Sequence, residues 1–223
     1  FEGSPAESGL FRDGYFHVEG QASQLAALCV EAKPGDTVLD LCAAPGGKSL
    51  LLIEEMGDEG RLVSCDVSEN RVQLIRKAVE RMGFAHVEPR VSDGTKPDAD
   101  LPMADAILVD APCSGLGILA KKPDIRYKDV QEFSALPEIQ RAILENSARY
   151  VKRGGLLVYS TCTILPEENE QATDDFLKAH DEFTYEAFSL PNGVSAPGHL
   201  TLWPQRDNTD GFYLSRMRRK THD

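Results

Sequence analysis

Two cysteines lie in short motifs that each follow an apolar run typical of a buried β-strand. Cys113 belongs to the motif DAPCSG at residues 110–115, and Cys162 belongs to the motif STCT at residues 160–163. In open α/β sheets, ligands and reactive groups gather at the carboxyl ends of the strands. A thiolate is also the strongest nucleophile that the side chains offer. The two motifs therefore predict covalent chemistry at one edge of a sheet.

A glycine turn upstream of both motifs predicts a cofactor site. A strand pattern at residues 37–42 runs into the sequence CAAPGGK at residues 42–48, and a helix pattern follows. Gly46 and Gly47 would let the backbone approach a ligand closely, and the free amides of the next helical turn favour an anionic group. The sequence is neither a dinucleotide motif nor a phosphate loop, because the glycine pair is preceded by Ala43, Ala44 and Pro45. A glycine turn that serves only for packing is the alternative.

Two acidic residues follow the next strand patterns. Asp66 ends a strand at residues 62–66, at the distance from the turn where dinucleotide folds place the acid that accepts the ribose hydroxyls. Its alternative role is that of an acidic residue at the start of the helix predicted over residues 68–82. Asp93 follows a strand at residues 87–91, but Asp-Gly is also an ordinary turn sequence. Its role in cofactor binding therefore depends on its neighbours.

Six blocks of the sequence together resemble the RNA (cytosine-5) methyltransferase family. In chain order they are CAAPGGK at 42–48, DVSENR at 66–71, DAPCSG at 110–115, KPDIR at 122–126, STCTILPEEN at 160–169 and DGFY at 210–213. They occur in the order expected for the family and extend over nearly the whole chain, and the two cysteine blocks together are highly specific. The resemblance implies a Rossmann-like methyltransferase fold that depends on S-adenosyl-L-methionine (SAM).

The resemblance also implies the roles of individual residues. It places SAM in the glycine turn, Asp66 on the ribose, Asp93 near the adenine, and Asp110 near the methionine end and the target base. It makes Cys162 the nucleophile and Cys113 a residue that helps to release the product, a distinction that the spacing alone does not give. The expected catalytic residues are Cys162, Cys113, Asp110 and Lys48. The expected cofactor-binding residues are Cys42, Ala43, Ala44, Pro45, Gly46, Gly47, Lys48, Asp66, Arg71, Asp93 and Asp110.

The implied chemistry explains the need for a thiolate. Carbon 5 of cytosine is too electron-poor to take a methyl group directly, so a nucleophile must first add to carbon 6. A base inside a duplex stack is out of reach, so the target is an unpaired or flipped-out nucleotide. The resemblance implies a cytosine in small-subunit (16S) ribosomal RNA. Two alternatives stay open: a catalytically inactive SAM-binding RNA assembly factor, and a DNA cytosine-5 methyltransferase with Cys113 as its nucleophile.

The order of strand and helix patterns predicts an α/β fold. Strands and helices alternate after a first helix at residues 22–32, which indicates a parallel sheet with helices on both faces. The resemblance implies a mostly parallel, seven-stranded sheet. Residues 1–34 are expected to pack on a methyltransferase domain at 35–223. Later segments are expected to be a loop at 115–136 that lines the RNA side, helices at 137–151 and 166–179, strands at 156–160, 183–188 and 212–217, and turns at 192–208.

The charge of the chain does not suit an RNA-binding protein. The 223 residues carry a net charge of −12, whereas contacts to phosphate normally supply most non-specific affinity. The chain begins at Phe1 rather than Met, and the resemblance implies a missing amino-terminal RNA-binding region that is NusB-like. Basic residues do gather locally, in one cluster of Lys121, Lys122, Arg126 and Lys128 and in a second of Arg216, Arg218, Arg219 and Lys220. A solvated face is the ordinary role of such clusters.

Other features exclude several kinds of site. The five cysteines include no Cys-x-x-Cys pair, and the histidines are scattered, so no zinc site is expected. Unpaired cysteines suit the reducing cytoplasm, and Cys29, Cys42 and Cys65 are expected to be inert apolar residues. No stretch resembles a membrane span or a signal peptide. The oligomeric state and the particular cytosine are not determined by the sequence.

Overall fold

A mostly parallel sheet forms the centre of the molecule. The computed structural model describes residues 4–191 and 193–222. The strands are β1 Thr37–Asp40, β2 Arg61–Asp66, β3 Val87–Val91, β4 Ala104–Asp110, β5 Val151–Thr161, β6 Phe183–Tyr185, β7 Phe188–Ser189, β8 Ser195–Ala196, β9 His199–Leu202 and β10 Phe212–Arg219. Seven of them form the path β3-β2-β1-β4-β5-β10-β6, β9 adds to β10, and β7 and β8 pair separately. Strands β1 to β5 are parallel, and β10 is antiparallel to its neighbours. The predicted mostly parallel architecture is confirmed, but the sheet has eight strands rather than seven because β9 adds to β10.

Helices cover both faces of this sheet. They are α1 Gly9–Arg12, α2 Gln21–Leu28, α3 Gly47–Glu55, α4 Glu69–Met82, α5 Leu136–Ser147, α6 Glu170–Ala179 and α7 Pro204–Asp207. Successive strand residues point to opposite faces, so Val38 joins the apolar core under α2 and α3, while Leu39 joins the core under α5 and α6. Both side chains are fully buried, and each such burial stabilises the fold by about 1.5 to 3 kcal/mol.

The expectation of turns at residues 192–208 is wrong for most of that segment. Residues 199–202 form β9, which pairs with β10 in the register Leu202 to Phe212, and Leu202 is fully buried in the core. The strand is short and lies between Gly198 and Pro204, two residue types typical of turns, so the sequence does not indicate a strand there. Asn192 lies outside the described residues.

The helix predicted over residues 166–179 is interrupted at Asn169. A short 3-10 turn at Pro166–Glu168 comes first, and Asn169 then leaves helical geometry with φ −116° and ψ −109°. Its side-chain amide donates to the Thr163 carbonyl at 3.1 Å and accepts from the Thr161 hydroxyl at 2.5 Å. These contacts to the segment around Cys162 hold Asn169 away from the helical conformation.

Other boundaries also differ from the sequence expectation. The first helix ends at Leu28 rather than at residue 32, and the strand expected at 183–188 is two separate strands, β6 and β7. The helix expected over residues 137–151 ends at Ser147 and gives way to a 3-10 turn, and β5 begins at Val151, five residues before the strand expected at 156. The segment 115–136 contains three short 3-10 turns. Among the described residues, no helix has the length and apolar character needed to cross a membrane.

Candidate active site at the carboxyl edge of the sheet

The sulfur atoms of Cys113 and Cys162 lie 3.2 Å apart. Strands β4 and β5 are parallel neighbours with Asp110 opposite Ser160, so the segments that follow them leave the sheet side by side. A hydrogen bond from the Cys113 thiol lowers the pKa of Cys162, against the effect of burial. The same bond, together with burial, raises the pKa of Cys113. Cys162 is therefore the favoured thiolate of the pair.

A buried polar network holds the two cysteine segments together. The hydroxyls of Ser114 and Thr163, each directly after a cysteine, are 2.7 Å apart. The Ser114 backbone amide donates to Glu168 Oε2 at 2.9 Å. Gln140 Nε2 donates to the same oxygen at 2.8 Å and to the Pro112 carbonyl at 2.9 Å. Glu168 is only 1% exposed and its Oε1 has no hydrogen-bond partner, so loss of either donor to Oε2 would leave a buried carboxylate with still fewer partners.

The segment after Cys113 is also held by a close backbone approach. The Gly117 amide donates to the Cys162 carbonyl at 3.0 Å, and Gly211 donates to the Gly117 carbonyl at 2.9 Å. A methyl group on Gly117 would overlap the Gly211 carbonyl oxygen. This contact attaches the DGFY block of residues 210–213 to the cysteine pair.

Asp110 connects the cysteine pair with the glycine turn. Its Oδ2 pairs with Lys48 Nζ at 2.7 Å, and its Oδ1 accepts from the Ser160 hydroxyl at 2.7 Å. Lys48 also lies over the Phe212 ring at 5.5 Å. Burial disfavours the charged form of Lys48, but the Asp110 carboxylate outweighs it and raises the pKa of Lys48. The structure thus brings Lys48 and Asp110 together, and the Ser160 hydroxyl connects Asp110 to the segment that carries Cys162.

Arg71 joins Asp66 to the glycine turn. Its guanidinium donates to the Ala44 carbonyl at 3.0 Å and lies 3.3 Å from Asp66 Oδ2. Asp66 is nearly fully buried, and its Oδ1 accepts from the Ser68 amide at 3.2 Å. The two residues therefore lie together next to the turn, and their expected roles in cofactor binding remain predictions.

A cleft beside the glycine turn has an acidic lining. Its wall consists of Glu19, Asp40, Cys42, Ala43, Ala44, Pro45, Gly47, Lys48 and Asp110. Asp40 is fully buried, its Oδ2 accepts from the Ser49 hydroxyl at 2.7 Å, and its Oδ1 has no hydrogen-bond partner. Burial raises the pKa of Asp40 to about 7, and the Asp110 charge adds to that rise. An orphaned carboxylate oxygen beside further carboxylates fits a ligand with positive charge, such as the ammonium and sulfonium end of SAM.

Asp93 does not line this cleft. Its carboxylate accepts from the Thr95 hydroxyl at 2.6 Å and pairs with Lys96 Nζ at 2.8 Å. The hydrogen bond from Lys96 lowers the pKa of Asp93 to about 2. Asp93 instead lines a separate depression with residues 96–99, and the cofactor role expected for it remains a prediction.

Three acidic residues near the site escaped the sequence analysis. Asp40 ends an apolar strand immediately before the glycine turn, which is a signal that could have identified it. Glu168 lies inside the STCTILPEEN block, but nothing in the sequence indicates its contact with Ser114. Glu19 comes from the lead segment before α2, and no sequence pattern links it to the cleft.

The two basic clusters differ in their surroundings. The side chains of Lys121, Lys122, Arg126 and Lys128 are exposed. In contrast, Arg216 is 4% exposed and pairs with Glu31 and Glu186, and Arg218 also pairs with Glu186. The expectation of a second solvated cluster is therefore wrong for Arg216. These strand residues point toward carboxylates brought in from distant parts of the chain.

The remaining cysteines differ from the pair. Burial raises the pKa of Cys29 and of Cys65 to about 12 and that of Cys42 well above its ordinary value. Their thiols are therefore poor nucleophiles. Within residues 4–191 and 193–222, no group of three or more His, Cys, Asp or Glu side chains is placed to hold a metal ion.

Comparison with known proteins identifies the family to which the chain is similar. Residues 27–218 match the family described as 16S rRNA methyltransferase RsmB/F. The chain is 38% identical over 98% of its length to the probable ribosomal RNA small subunit methyltransferase B of Bacillus subtilis (strain 168), of which it covers 51%. It is 35% identical over 94% of its length to the protein of the same name from Synechocystis sp., of which it covers 49%.

A solved structure supports the cofactor assignment. NSun6 from Pyrococcus horikoshii, solved with the SAM analogue SFG, is 31% identical with a TM-score of 0.86, and the match covers 99% of this chain and 57% of that one. The fold is thus that of the SAM-dependent methyltransferases. The chain belongs to the 16S rRNA methyltransferase RsmB/F family, which confirms the resemblance inferred from the motifs, and it spans about half the length of the curated relatives it matches.

Proposed function

We propose that this chain transfers the methyl group of SAM to carbon 5 of a cytosine in small-subunit ribosomal RNA. The reaction proceeds through a covalent adduct between Cys162 and carbon 6. The observation that carries the proposal is the 3.2 Å contact between Cys113 and Cys162, in which the pKa of Cys162 is lowered. A thiolate with a neighbouring thiol donor is suited both to attack and to departure.

Each step of the reaction except removal of the carbon 5 proton has a candidate group. The Cys162 thiolate forms a bond to carbon 6 while the carbon 5–carbon 6 π bond breaks, and a proton shared by Lys48 and Asp110 is available to N3 of the base. SAM supplies a methyl group on a sulfonium. After carbon 5 has taken the methyl group, its proton leaves to a base, and the electron pair it leaves behind forms the carbon 5–carbon 6 π bond as the carbon 6–sulfur bond breaks. The Cys113 thiol stabilises the departing Cys162 thiolate by the hydrogen bond described above.

The two cysteines predict different mutant behaviour. Cys162→Ala cannot start the reaction, so it should give neither methylation nor an adduct. Cys113→Ala should still attack and methylate but should accumulate a protein–RNA adduct that survives denaturing electrophoresis. Cys65→Ala, which removes a buried thiol from β2, is the matched control and should behave as the unmodified chain. An RNA with 5-fluorocytosine, which blocks loss of the carbon 5 substituent, identifies the nucleophile if normal adducts decay too fast.

The same experiment tests the two alternatives. A DNA cytosine-5 methyltransferase would form its adduct through Cys113, so the adduct would persist in Cys162→Ala and vanish in Cys113→Ala. The raised pKa of Cys113 argues against that role. An inactive assembly factor would bind SAM and RNA but transfer no methyl group from labelled SAM to any substrate.

The acidic net charge of the chain affects how strongly it can bind RNA. With a net charge of −12, we expect this chain to bind RNA weakly, and we propose that an upstream NusB-like region supplies further affinity. Joining that region to the chain should tighten RNA binding in a salt-sensitive way. Equal activity with and without it at near-physiological salt contradicts this part of the proposal. The free thiols suit the cytoplasm, where we place the reaction.

A further inference from the structure

We propose that Glu19 is a cofactor-binding residue that receives the ammonium group at the amino acid end of SAM. The inference rests on the methyl donor of the proposed function and not on its RNA substrate. Glu19 belongs to the lead segment, outside the sheet and outside the six blocks that carry the family resemblance. It would extend the cofactor site beyond the methyltransferase sheet.

The Glu19 carboxylate is packed directly on the glycine turn. It lines the same cleft as Asp40 and Lys48, and a methyl group on Gly47 would overlap its Oε2. A side chain at this position would displace the carboxylate from its present place. Within the part of the chain that the structure describes, this carboxylate makes no hydrogen bond or ion pair, although its charge helps to raise the pKa of Lys48. A partly buried carboxylate without a partner has capacity for a cationic ligand.

Contacts on both sides fix the position of Glu19. Before it, Arg81 of α4 donates to the carbonyls of Phe11 and Phe16 at 2.6 and 3.0 Å and lies 3.9 Å over the Phe11 ring. After it, the Gln24 side-chain amide donates to the Glu19 carbonyl at 3.0 Å. The backbone that carries Glu19 is thus held beside the turn before any ligand binds, which lowers the ordering cost of binding.

The charges of the cleft select the ammonium group. The one lysine on its wall, Lys48, forms its ion pair with Asp110 at 2.7 Å, so among the described residues the Glu19 carboxylate has no ion-pair partner of its own. The amino acid end of SAM carries an ammonium, a carboxylate and the sulfonium. The carboxylate would be repelled by Glu19, and the sulfonium must bring its methyl group toward the cysteine pair beyond Asp110. The adenosine end belongs on the other side of the turn, where Asp66 and Arg71 lie.

Calorimetric titration with three ligands tests this assignment. SAM and S-adenosylhomocysteine carry the ammonium, whereas 5′-methylthioadenosine lacks the amino acid end. Glu19→Gln should weaken binding of the first two by about 10-fold or more, since a hydrogen bond between charged groups is lost. The same variant should change the affinity for 5′-methylthioadenosine by no more than about twofold, because that ligand has no group for Glu19 to bind.

Two further variants serve as controls. Asp13→Asn removes an exposed carboxylate from the same lead segment and should change none of the three affinities. Asp66→Ala should weaken the binding of all three ligands, because each contains the ribose.

Several results overturn the assignment. They are an equal loss for all three ligands in Glu19→Gln, unchanged or tighter binding of SAM in that variant, and no measurable binding of SAM to the unmodified chain. Because no RNA enters the experiment, failure of the RNA methylation proposal would leave this test intact.

Discussion

The hydroxyl oxygens of Ser114 and Thr163 lie 2.7 Å apart in the interior of the protein, and each residue directly follows one of the paired cysteines. Ser114 is 3% exposed and Thr163 is fully buried. Their hydrogen bond thus ties together the two backbone segments whose separation sets the distance between the sulfurs. A bond that touches neither sulfur therefore helps to fix the geometry of the thiol pair.

This bond predicts a coupled effect on stability. Thr163→Val should lower the free energy of unfolding by about 1 to 3 kcal/mol, because it leaves the buried Ser114 hydroxyl without its partner. Ser114→Ala should act in the same direction. The double variant should lose less free energy of unfolding than the sum of the two single losses, by roughly 0.5 kcal/mol or more. Urea denaturation measures these losses. Strictly additive losses would show that the two hydroxyls do not interact.

Removal of Cys113 should make Cys162 a weaker acid. The Cys113 thiol is the main cause of the lowered pKa of Cys162, so Cys113→Ala should move the pH midpoint of Cys162 alkylation to higher pH. The rate of reaction with iodoacetamide, followed by mass spectrometry of the Cys162 peptide, measures this. Cys65→Ala should not move the midpoint. A midpoint that stays or falls in Cys113→Ala contradicts the direction of the hydrogen bond.

Cofactor binding should release a proton from Asp40. Burial is the largest cause of the pKa of about 7 of this carboxyl, and the groups that also act on it are the Ser49 hydroxyl, the charges of Asp110 and Lys48, and the Cys42 backbone amide. A cationic ligand in the cleft lowers that pKa, so affinity for SAM should fall as the pH decreases through about 7 and level off above it. Titration calorimetry in buffers of different ionisation enthalpy counts the released protons. Asp40→Asn should remove both the release and the pH dependence near pH 7.

The same group predicts the pH dependence of folding without ligand. The pKa of Asp40 in the folded chain, about 7, lies above its ordinary value of 3.8. Its contribution to stability is therefore fully present below the ordinary value and is lost as the pH rises through about 7. Asp40→Asn should flatten this part of the stability profile in urea denaturation, and an unchanged profile would contradict the raised pKa.

The exposed basic residues after Cys113 should contribute to RNA binding. Lys122 and Arg126 are exposed, and the Lys122 charge helps to lower the pKa of Cys162. Replacing either with Ala should weaken RNA binding and reduce the slope of log K against log salt by roughly 0.7 if the contact is to a single-stranded phosphate. Lys178→Ala, which removes an exposed lysine on α6, is the matched control. An equal loss of RNA affinity in Lys178→Ala would show that the effect comes from the net charge of the chain and not from the position of the basic residue.

The sequence predicted the elements whose signals are local. Apolar strand runs, the glycine turn and the cysteine motifs each lie within a few consecutive residues, so the parallel sheet and the meeting of Cys113 with Cys162 could be expected. Arg216 could not be placed, because its partners Glu31 and Glu186 come from other elements. The contact of Glu19 with Gly47 and the break at Asn169 likewise depend on tertiary neighbours that leave no periodic pattern.

The 3.2 Å separation of the Cys113 and Cys162 sulfurs also makes the site sensitive to oxidation. A peroxide would convert the Cys162 thiolate to a sulfenic acid with loss of hydroxide, and the Cys113 thiol could then displace water to form a disulfide. That bond would protect the nucleophile from irreversible oxidation and would stop catalysis until a dithiol reduces it. Peroxide treatment should remove two hydrogens from a peptide pair that contains Cys113 and Cys162, whereas Cys29 and Cys65, with a pKa of about 12 each, should stay reduced.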